Sequence, residues 1–380
     1  MHIPFCTYRC GFCNLFALGK PAPELVEQYV KQLLRQIAIV SGVLGEHRFA
    51  RFAIGGGTPS YLSAEQLARL LDTVTRCFTI DMRCVPAGIE VSPETATPDR
   101  LRVCRDAGID RVSMGVQSFV DAELKSLARP TQHVQVTEAV RVIRELNFPT
   151  LNLDLIYGIP GQSMASLEAS VRAALSFCPE ELYLYPLYVR PMHHDTRMPM
   201  YLAARDLLVE SGYTQVSMRM FRSPRAAESS GPAYCCQNDG MVGVGCGARS
   251  YTRSLHYSDY YGVERASVAS ILQRYVSAPE SQFTQAHYGF LLDMTEQRRR
   301  YVIQSLLAYP GLDEAEYTAR FGTRLLIDFP QLRELMAEGL AHWRGEVLAL
   351  TVEGMAHADT IGPWLNSTEV LTRMESHAVA

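Results

Sequence analysis

Three closely spaced cysteines near the start of the chain could hold a metal cluster. Cys6, Cys10 and Cys13 lie in the run Cys-Thr-Tyr-Arg-Cys-Gly-Phe-Cys, with three residues between the first pair and two between the second. Thiolates at this spacing can bind one face of a [4Fe–4S] cluster, which normally takes four cysteine ligands. The fourth iron would then be open to a small molecule, and the chemistry would occur there.

A structural zinc site is the alternative for the same cysteines. Zinc needs a fourth Cys or His ligand, usually from a second pair in a partner knuckle. The triplet has His2 before it and Asn14 after it. The sequence therefore favours the iron–sulfur cluster and leaves zinc as the lesser alternative.

Length, composition and charge narrow the class of protein. A chain of 380 residues with 47% apolar content can bury one large core and a smaller one, which indicates two or three domains. We expect no membrane span, no signal peptide and a cytoplasmic location, because apolar stretches are short and the ten cysteines suit a reducing compartment. The net charge of −4 argues against a nucleic-acid partner and favours a small-molecule substrate.

Short apolar strands alternate with amphipathic helices over the first 220 residues or so. This rhythm predicts repeated βα units and an α/β fold, an incomplete (β/α)6 TIM-like barrel. Loops at the carboxyl ends of the strands carry the active site in such barrels. The six predicted strands are Met1 to Pro4, Arg51 to Ile54, Ala87 to Val91, Arg111 to Gln117, Leu151 to Ile156 and Leu182 to Tyr188.

Beyond the predicted barrel, the sequence no longer alternates between short apolar strands and amphipathic helices. We expect the barrel over residues 1–215, an irregular extension and linker over 216–290, a mostly helical, winged-helix-like module over 291–360 and a tail over 361–380. The third helix of that module, Gln331 to Gly339, carries Glu334 and Glu338 where a DNA-reading helix would be basic. We therefore expect the module to form a lid or a wall of the substrate site.

Glycines and polar residues follow the predicted strands where a ligand could bind. The run Gly55-Gly56-Gly57-Thr58-Pro59 comes directly after the second strand, and its backbone could approach a ligand closely. Glu90, Gln117, Arg129 and Asp154 lie at the carboxyl ends of later strands or just after them. A tight turn, a helix cap or a barrel salt bridge would explain each of these features alone.

Taken together, the motifs resemble the radical S-adenosylmethionine (SAM) superfamily and, within it, the oxygen-independent coproporphyrinogen III dehydrogenase (HemN-like) family. The resemblance covers residues 2 to about 355. It is carried by His-Ile-Pro-Phe-Cys, Gly-Gly-Gly-Thr-Pro, Gly-Val-Gln-Ser-Phe, Asp-Leu-Ile-Tyr-Gly-Ile-Pro-Gly-Gln and Leu-Thr-Val-Glu-Gly, in that order along the chain.

The resemblance implies cofactors, a reaction and site residues. SAM would chelate the fourth iron, and one electron from a donor such as flavodoxin or ferredoxin would cleave it to a 5′-deoxyadenosyl radical that abstracts hydrogen from a small organic substrate. Cys6, Cys10 and Cys13 would hold the cluster. The implied SAM-binding residues are Gly56, Gly57 and Thr58 at the methionine end, Glu90, Gln117, Arg129 and Asp154 at its polar groups, and Phe12 near the adenine.

One departure from the family pattern bears on the substrate. Members that oxidise coproporphyrinogen carry a further cysteine two residues after the triplet, whereas this chain has Leu15. We therefore expect tailoring of a small metabolite, with methyl transfer from a second SAM as one form. The alternatives are coproporphyrinogen oxidation in heme biosynthesis and a heme-binding chaperone.

Three more cysteines lie in the irregular, glycine-rich stretch from Ser217 to Arg253. Cys235, Cys236 and Cys246 could donate a hydrogen atom to a product radical. Buried or incidental thiols explain them better. Cys246 also lies in a run that matches a G-x-G-x-x-A dinucleotide fingerprint, but no long helix of a βαβ unit follows it.

Overall fold

Six parallel strands form the centre of the molecule in a computed structural model that describes residues 1–188, 194–227 and 240–377. They follow one another around the sheet in chain order. Two antiparallel strands, first Met220–Arg222 and then Thr214–Gln215, extend the sheet beyond the last parallel strand, Glu181–Pro186. The strands are β1 (His2–Ile3), β2 (Phe52–Gly56), β3 (Ala87–Val91), β4 (Arg111–Gln117), β5 (Thr150–Tyr157), β6 (Glu181–Pro186), β7 (Thr214–Gln215) and β8 (Met220–Arg222).

Helices connect the parallel strands, as a right-handed βα repeat requires. The first begins with Pro23 at a position where a helix needs no backbone donor, and a reciprocal Ser63–Gln66 capping box begins the second. The helices are α1 (Pro23–Leu44), α2 (Ala64–Cys77), α3 (Pro98–Asp106), α4 (Asp121–Ser126), α5 (His133–Glu145), α6 (Met164–Ser176) and α7 (His194–Glu210). None of the described helices is long and apolar enough to span a bilayer.

The two faces of the barrel strands differ in polarity. In β4, Val112, Met114 and Val116 are fully buried and belong to the main apolar core. The residues between them on β4 are Ser113 and Gly115, and Ser113 forms a hydrogen bond to Asn152 of β5. Burying a large aliphatic side chain contributes about 1.5–3 kcal/mol, so the outer face stabilises the barrel while the inner face stays polar.

A second, smaller sheet follows the barrel. Its three antiparallel strands are Arg249–Tyr251, Leu255–Ser258 and Gly289–Leu291, in that order across the sheet. The helix Arg265–Val276 and the short 3-10 helix Glu280–Phe283 lie between its last two strands in the chain, and both contact α1.

The C-terminal part is mostly helical and contains a three-stranded sheet. Its hairpin turns at Gly345, as the sequence predicts, and the hairpin's second strand also pairs with Leu312–Asp313. The helices are Met294–Leu306, Glu314–Phe321, Leu325–Asp328, Leu332–Ala337, Val352–Ala356, Ala358–Trp364 and Thr368–His377, and the hairpin strands are Ala341–Arg344 and Val347–Leu350.

A polar contact joins the C-terminal part to the barrel. Asp359, in the helix Ala358–Trp364, forms an ion pair with Arg219 and accepts a hydrogen bond from the Tyr188 hydroxyl at 2.7 Å. Arg219 also lies over the rings of Tyr185 and Tyr188. Because Tyr185 belongs to β6, this contact fixes the C-terminal part beside the carboxyl end of that strand.

The predicted fold class is confirmed. The boundaries of β3 and β4 agree with the sequence prediction, and those of the other barrel strands differ from it by one or two residues at each end. The domain boundaries stay a prediction.

Candidate functional site

The loop that carries the three cysteines begins and ends at one place. Cys6 ends a two-residue strand, Phe5–Cys6, which pairs in parallel with Leu18–Gly19. The Lys20 backbone N–H donates to the Cys6 carbonyl at 3.0 Å, and a turn joins the Cys13 N–H to the Cys10 carbonyl at 3.2 Å. These bonds close the loop beside the carboxyl end of β1.

Two of the three thiols already receive hydrogen bonds from predicted site residues. The Thr58 hydroxyl donates to the Cys6 sulfur at 3.5 Å, and the Arg129 guanidinium donates to the Cys10 sulfur at 3.4 Å. Burial raises the pKa of Cys6 to about 11, and it also raises the pKa of Cys10, although Arg129 opposes that shift. Iron binding would supply the positive charge that a buried thiolate needs.

The described residues give no support to the single-zinc alternative for the three cysteines. Four ligands at a Zn–S distance of about 2.3 Å lie about 3.8 Å apart around one centre. Within the described ranges, no group of three or more Cys, His, Asp or Glu side chains converges closely enough to hold one ion. A cubane binds each thiolate to a different iron, so its cysteine ligands do not have to converge on one point.

The glycine loop after β2 packs directly against the cysteine strand. A Cβ atom on Gly57 would lie 2.8 Å from the Phe5 carbonyl oxygen and 3.0 Å from the Cys6 sulfur. Gly56 has a positive φ of 118°, and its N–H donates to a Glu90 carboxylate oxygen at 3.0 Å. The short contacts at Gly57 and the positive φ at Gly56 therefore require glycine at these two positions.

Two predicted carboxylates lie inside the barrel. Asp154 accepts a hydrogen bond from the Asn152 amide at 2.7 Å. Burial raises its pKa to about 6, and the nearby Glu90 charge adds to the shift. Burial also raises the pKa of Glu90. Asp154 and Glu90 both keep some contact with solvent. Their carboxylate oxygens can therefore accept hydrogen bonds from the hydroxyl and amino groups of a polar ligand.

Gln117 and Arg129 meet at a distortion of the sheet. Gln117 adopts a left-handed backbone with φ of 76°, at a register shift where β4 pairs with β5. Its amide nitrogen would lie 2.8 Å from a Cβ on Gly115, whose carbonyl accepts a hydrogen bond from Arg129. The Arg129 Nε atom is buried without a hydrogen-bond partner, so the guanidinium brings a positive charge and an unused donor to the side of the cysteine loop. Strained backbone of this kind is typical of functional sites.

An apolar patch separate from the main core lies beside the cysteine loop. Its buried members are Leu127, Ile156, Ile159 and Leu187, and Phe12 packs against them. Phe12 lies between Cys10 and Cys13 in the sequence. A flat apolar surface next to the cluster ligands suits an adenine ring.

The inner face carries further polar residues, of which the sequence prediction missed Arg111, Glu181 and Asn152. Arg111 forms an ion pair with Glu181 at 2.7 Å, and Tyr183 stacks on Tyr185 with 5.7 Å between ring centroids. Asn152 bonds both Ser113 and Asp154. Period-two alternation of polar and apolar residues along β4, β5 and β6 is the signal that could have identified them.

The candidate hydrogen donors lie elsewhere or outside the described residues. Cys235 and Cys236 lie outside them. Cys246 is 1% exposed, and its backbone bonds His2 and Tyr29. It borders a cleft of about 680 Å³ that residues of the helix Arg265–Val276 also line. Gly245, with φ of 96°, packs on the His2 carbonyl, so the glycine run covers the free edge of β1. The role of these thiols in a reaction stays a prediction.

Comparisons with known proteins agree with this geometry. The profile of the Radical SAM superfamily matches residues 1–174. The heme chaperone HemW of Bacillus subtilis is 26% identical over 373 residues, covering 93% of this chain and 95% of that protein. HemW of Escherichia coli is 30% identical over 260 residues, covering 65% of this chain and 68% of that protein.

A solved structure supports the fold over almost the whole chain. The E. coli coproporphyrinogen III oxidase HemN, described as a radical SAM enzyme, superposes with a TM-score of 0.83 and 23% identity. The match covers 96% of this chain and 89% of that one.

The residues present fit a [4Fe–4S] cluster and SAM, which that superfamily uses. Cys6, Cys10 and Cys13 would hold the cluster, and the glycine loop with the polar barrel interior would hold SAM. The sequence motifs, the partial barrel and the relatives agree, and the chain belongs to the radical SAM superfamily, in its HemN-like family.

Proposed function

We propose that this protein is a radical SAM protein that handles heme, with a role closer to that of a heme chaperone than to that of a coproporphyrinogen oxidase. The observation that carries the proposal is Leu15, 46% exposed, at the position where oxidase members of the family have a further cysteine. The near-complete coverage of a HemW chaperone supports it.

The chain's own residues would bind and orient the cofactor in this role. The cluster, when bound, supplies one electron for cleavage of a carbon–sulfur bond of SAM. Thr58 and Arg129 bond the sulfurs of Cys6 and Cys10, and the positive charge of Arg129 would attract the methionine carboxylate. Asp154 would accept from the ribose hydroxyls, and the patch around Phe12 would cover the adenine.

Tailoring of a small metabolite with a second SAM has less support. HemW of Bacillus subtilis and the oxygen-independent coproporphyrinogen III oxidase of Synechocystis, which each align over 93% of the chain, are named for heme or coproporphyrinogen rather than for methyl transfer. Coproporphyrinogen oxidation is the competing activity, and Leu15 argues against it.

An electron donor is part of the same proposal. A cleft of about 250 Å³ beside the cysteine loop is lined by Arg9, Lys20 and Arg265, which suits an acidic partner such as flavodoxin or ferredoxin. If a donor binds there, Lys20→Glu should slow reduction by flavodoxin and leave reduction by dithionite unchanged. Equal rates with flavodoxin in both proteins would reject this surface.

A heme titration of the cluster-loaded protein tests the proposal. We expect a Soret band that saturates at one equivalent and survives gel filtration, and 5′-deoxyadenosine after addition of dithionite and SAM. Coproporphyrinogen III should give no protoporphyrinogen. Turnover of coproporphyrinogen, or SAM cleavage in a protein with no heme affinity, would contradict the chaperone role.

A further inference from the structure

A buried carboxylate outside the predicted site ties several of its loops together. Glu123, in the first turn of α4, is 3% exposed. It accepts hydrogen bonds from the Ser118 hydroxyl at 2.6 Å, from the Gln162 amide at 3.0 Å and from the Ser166 hydroxyl. All three donors are neutral, so Glu123 acts as a shared acceptor.

Each donor belongs to a different part of the barrel mouth. Ser118 follows Gln117 at the end of β4, Gln162 closes the loop after β5, and Ser166 is in the first turn of α6. The loop after β5 also contains Ile159 of the apolar patch. Glu123 therefore joins the loop of Gln117 to the loop of Ile159.

The amide of Gln162 has only one workable orientation. Its oxygen accepts hydrogen bonds from the Gly158 N–H at 2.8 Å and from the Ile159 N–H at 3.3 Å. Its nitrogen must then face Glu123 and donate, because an amide nitrogen cannot accept. The nitrogen also donates to the Ile156 carbonyl at 3.3 Å, so loss of the Glu123 acceptor would leave one N–H of the amide buried and unpaired and would remove the bond that links this loop to α4.

The far end of α4 reaches the cysteine loop. The Gly11 N–H donates to the Leu127 carbonyl at 2.9 Å, and the Arg129 N–H donates to the Leu124 carbonyl at 2.9 Å. Arg129 in turn bonds the Cys10 sulfur. A displacement of α4 would therefore move Arg129 and the cysteine loop together.

We propose that Glu123 is a positioning residue for SAM binding. By fixing α4 against the loops after β4 and β5, it sets the relative positions of Gln117, Arg129 and Ile159. The inference rests on SAM binding by this chain and is independent of heme.

The proposal depends on hydrogen-bond acceptance rather than on charge, so Glu123→Gln should be tolerated. The glutamine oxygen can take the position that accepts from Ser118 and Gln162. Its nitrogen would then face Ser166, whose hydroxyl can donate instead to the Ser163 carbonyl, 3.0 Å away. Glu123→Ala removes the acceptor entirely.

The experiment compares SAM affinity in cluster-loaded variants by equilibrium dialysis. We expect Glu123→Ala to weaken SAM binding at least tenfold with unchanged iron content, and Glu123→Gln to stay within about threefold of the unsubstituted protein. The electron paramagnetic resonance spectrum of the reduced cluster, recorded without SAM, should be the same in both variants as in the unsubstituted protein. Glu138→Ala, at an exposed carboxylate on α5, is the matched control.

Two results would overturn the proposal. One is a folded Glu123→Ala protein with unchanged SAM affinity, and the other is a Glu123→Gln protein as impaired as the alanine variant. If Glu123→Ala does not fold, Gln162→Leu removes the same contact from the other side and should weaken SAM binding equally. Failure of both variants to fold would assign Glu123 a purely structural role and would also refute the proposal.

Discussion

Replacing Asp154 by asparagine tests whether the barrel maintains a buried carboxylate for a ligand at a cost in stability. Burial raises the pKa of Asp154 from 3.8 to about 6. A shift of this size disfavours the ionised form by about 3 kcal/mol at neutral pH. Water reaches part of the barrel interior, so we expect a cost of about 1–2 kcal/mol in the protein.

The substitution should therefore stabilise the protein without cofactors. The Asp154→Asn variant keeps the shape of the side chain and removes its charge, so the unfolding midpoint of this 380-residue chain at pH 7 should rise by roughly 1–3 °C. The ionised carboxylate destabilises the native protein above about pH 6, and protonation relieves this as the pH falls from 6 towards 3.8. The difference between the two proteins should therefore shrink in acid.

SAM binding should change in the opposite direction. An asparagine at this position offers one acceptor where the carboxylate offers two, and hydrogen bonds to a charged group contribute about 1.5–3 kcal/mol. We expect SAM affinity to fall about tenfold or more. In the unsubstituted protein, affinity should also fall below about pH 6, where Asp154 becomes protonated.

Two measurements test these effects. Thermal unfolding of the cluster-free protein at pH 7 and pH 5 measures the change in stability. Equilibrium dialysis of SAM against the cluster-loaded protein measures the change in affinity. Asp72→Asn is the control, because that carboxylate is 74% exposed on α2. An Asp154→Asn variant that is less stable at pH 7 and binds SAM normally would show that Asp154 is an ordinary structural residue, and the reasoning would fail.

Further variants test the other parts of the site. Gly57→Ala should abolish cluster loading, measured as iron per chain, because its Cβ collides with the cysteine strand, whereas Gly42→Ala, with open space around it, should stabilise α1 by about 0.5–1 kcal/mol. Cys10→Ala should lose the four-iron absorbance, while Cys178→Ala, at an exposed thiol, should keep it. Asp359→Ala should increase proteolytic cleavage of the C-terminal part and leave iron content unchanged.

The sequence could predict the barrel because its local signals agree with the tertiary structure. The runs that form β3 and β4 are bounded by turns and flanked by amphipathic helices, so their boundaries could be read directly. The glycine loop and the cysteine triplet were also visible, since close backbone approach and metal binding each demand one residue type. Local sequence patterns were enough to predict a feature wherever only one residue type can form it.

The sequence did not predict features that depend on long-range partners. The ion pair of Arg219 with Asp359 joins residues 140 positions apart, and that of Arg111 with Glu181 joins residues 70 apart. The left-handed backbone at Gln117 was missed because no glycine or asparagine marks it. Glu123 resembles an ordinary exposed helix residue until the loops around it are placed.

The edge strand β1 shows how the cysteine loop depends on a distant part of the chain. Two residues of parallel pairing to β2 cannot fix a strand by themselves. On the other edge, however, the His2 N–H donates to the Val244 carbonyl at 2.9 Å, and the Tyr29 hydroxyl bonds the His2 carbonyl. The stretch around Val244 therefore closes the exposed edge of β1 and fixes the start of the cysteine loop. The glycine run around Val244, which resembles a nucleotide fingerprint, thus stabilises the strand from which the cysteine loop begins.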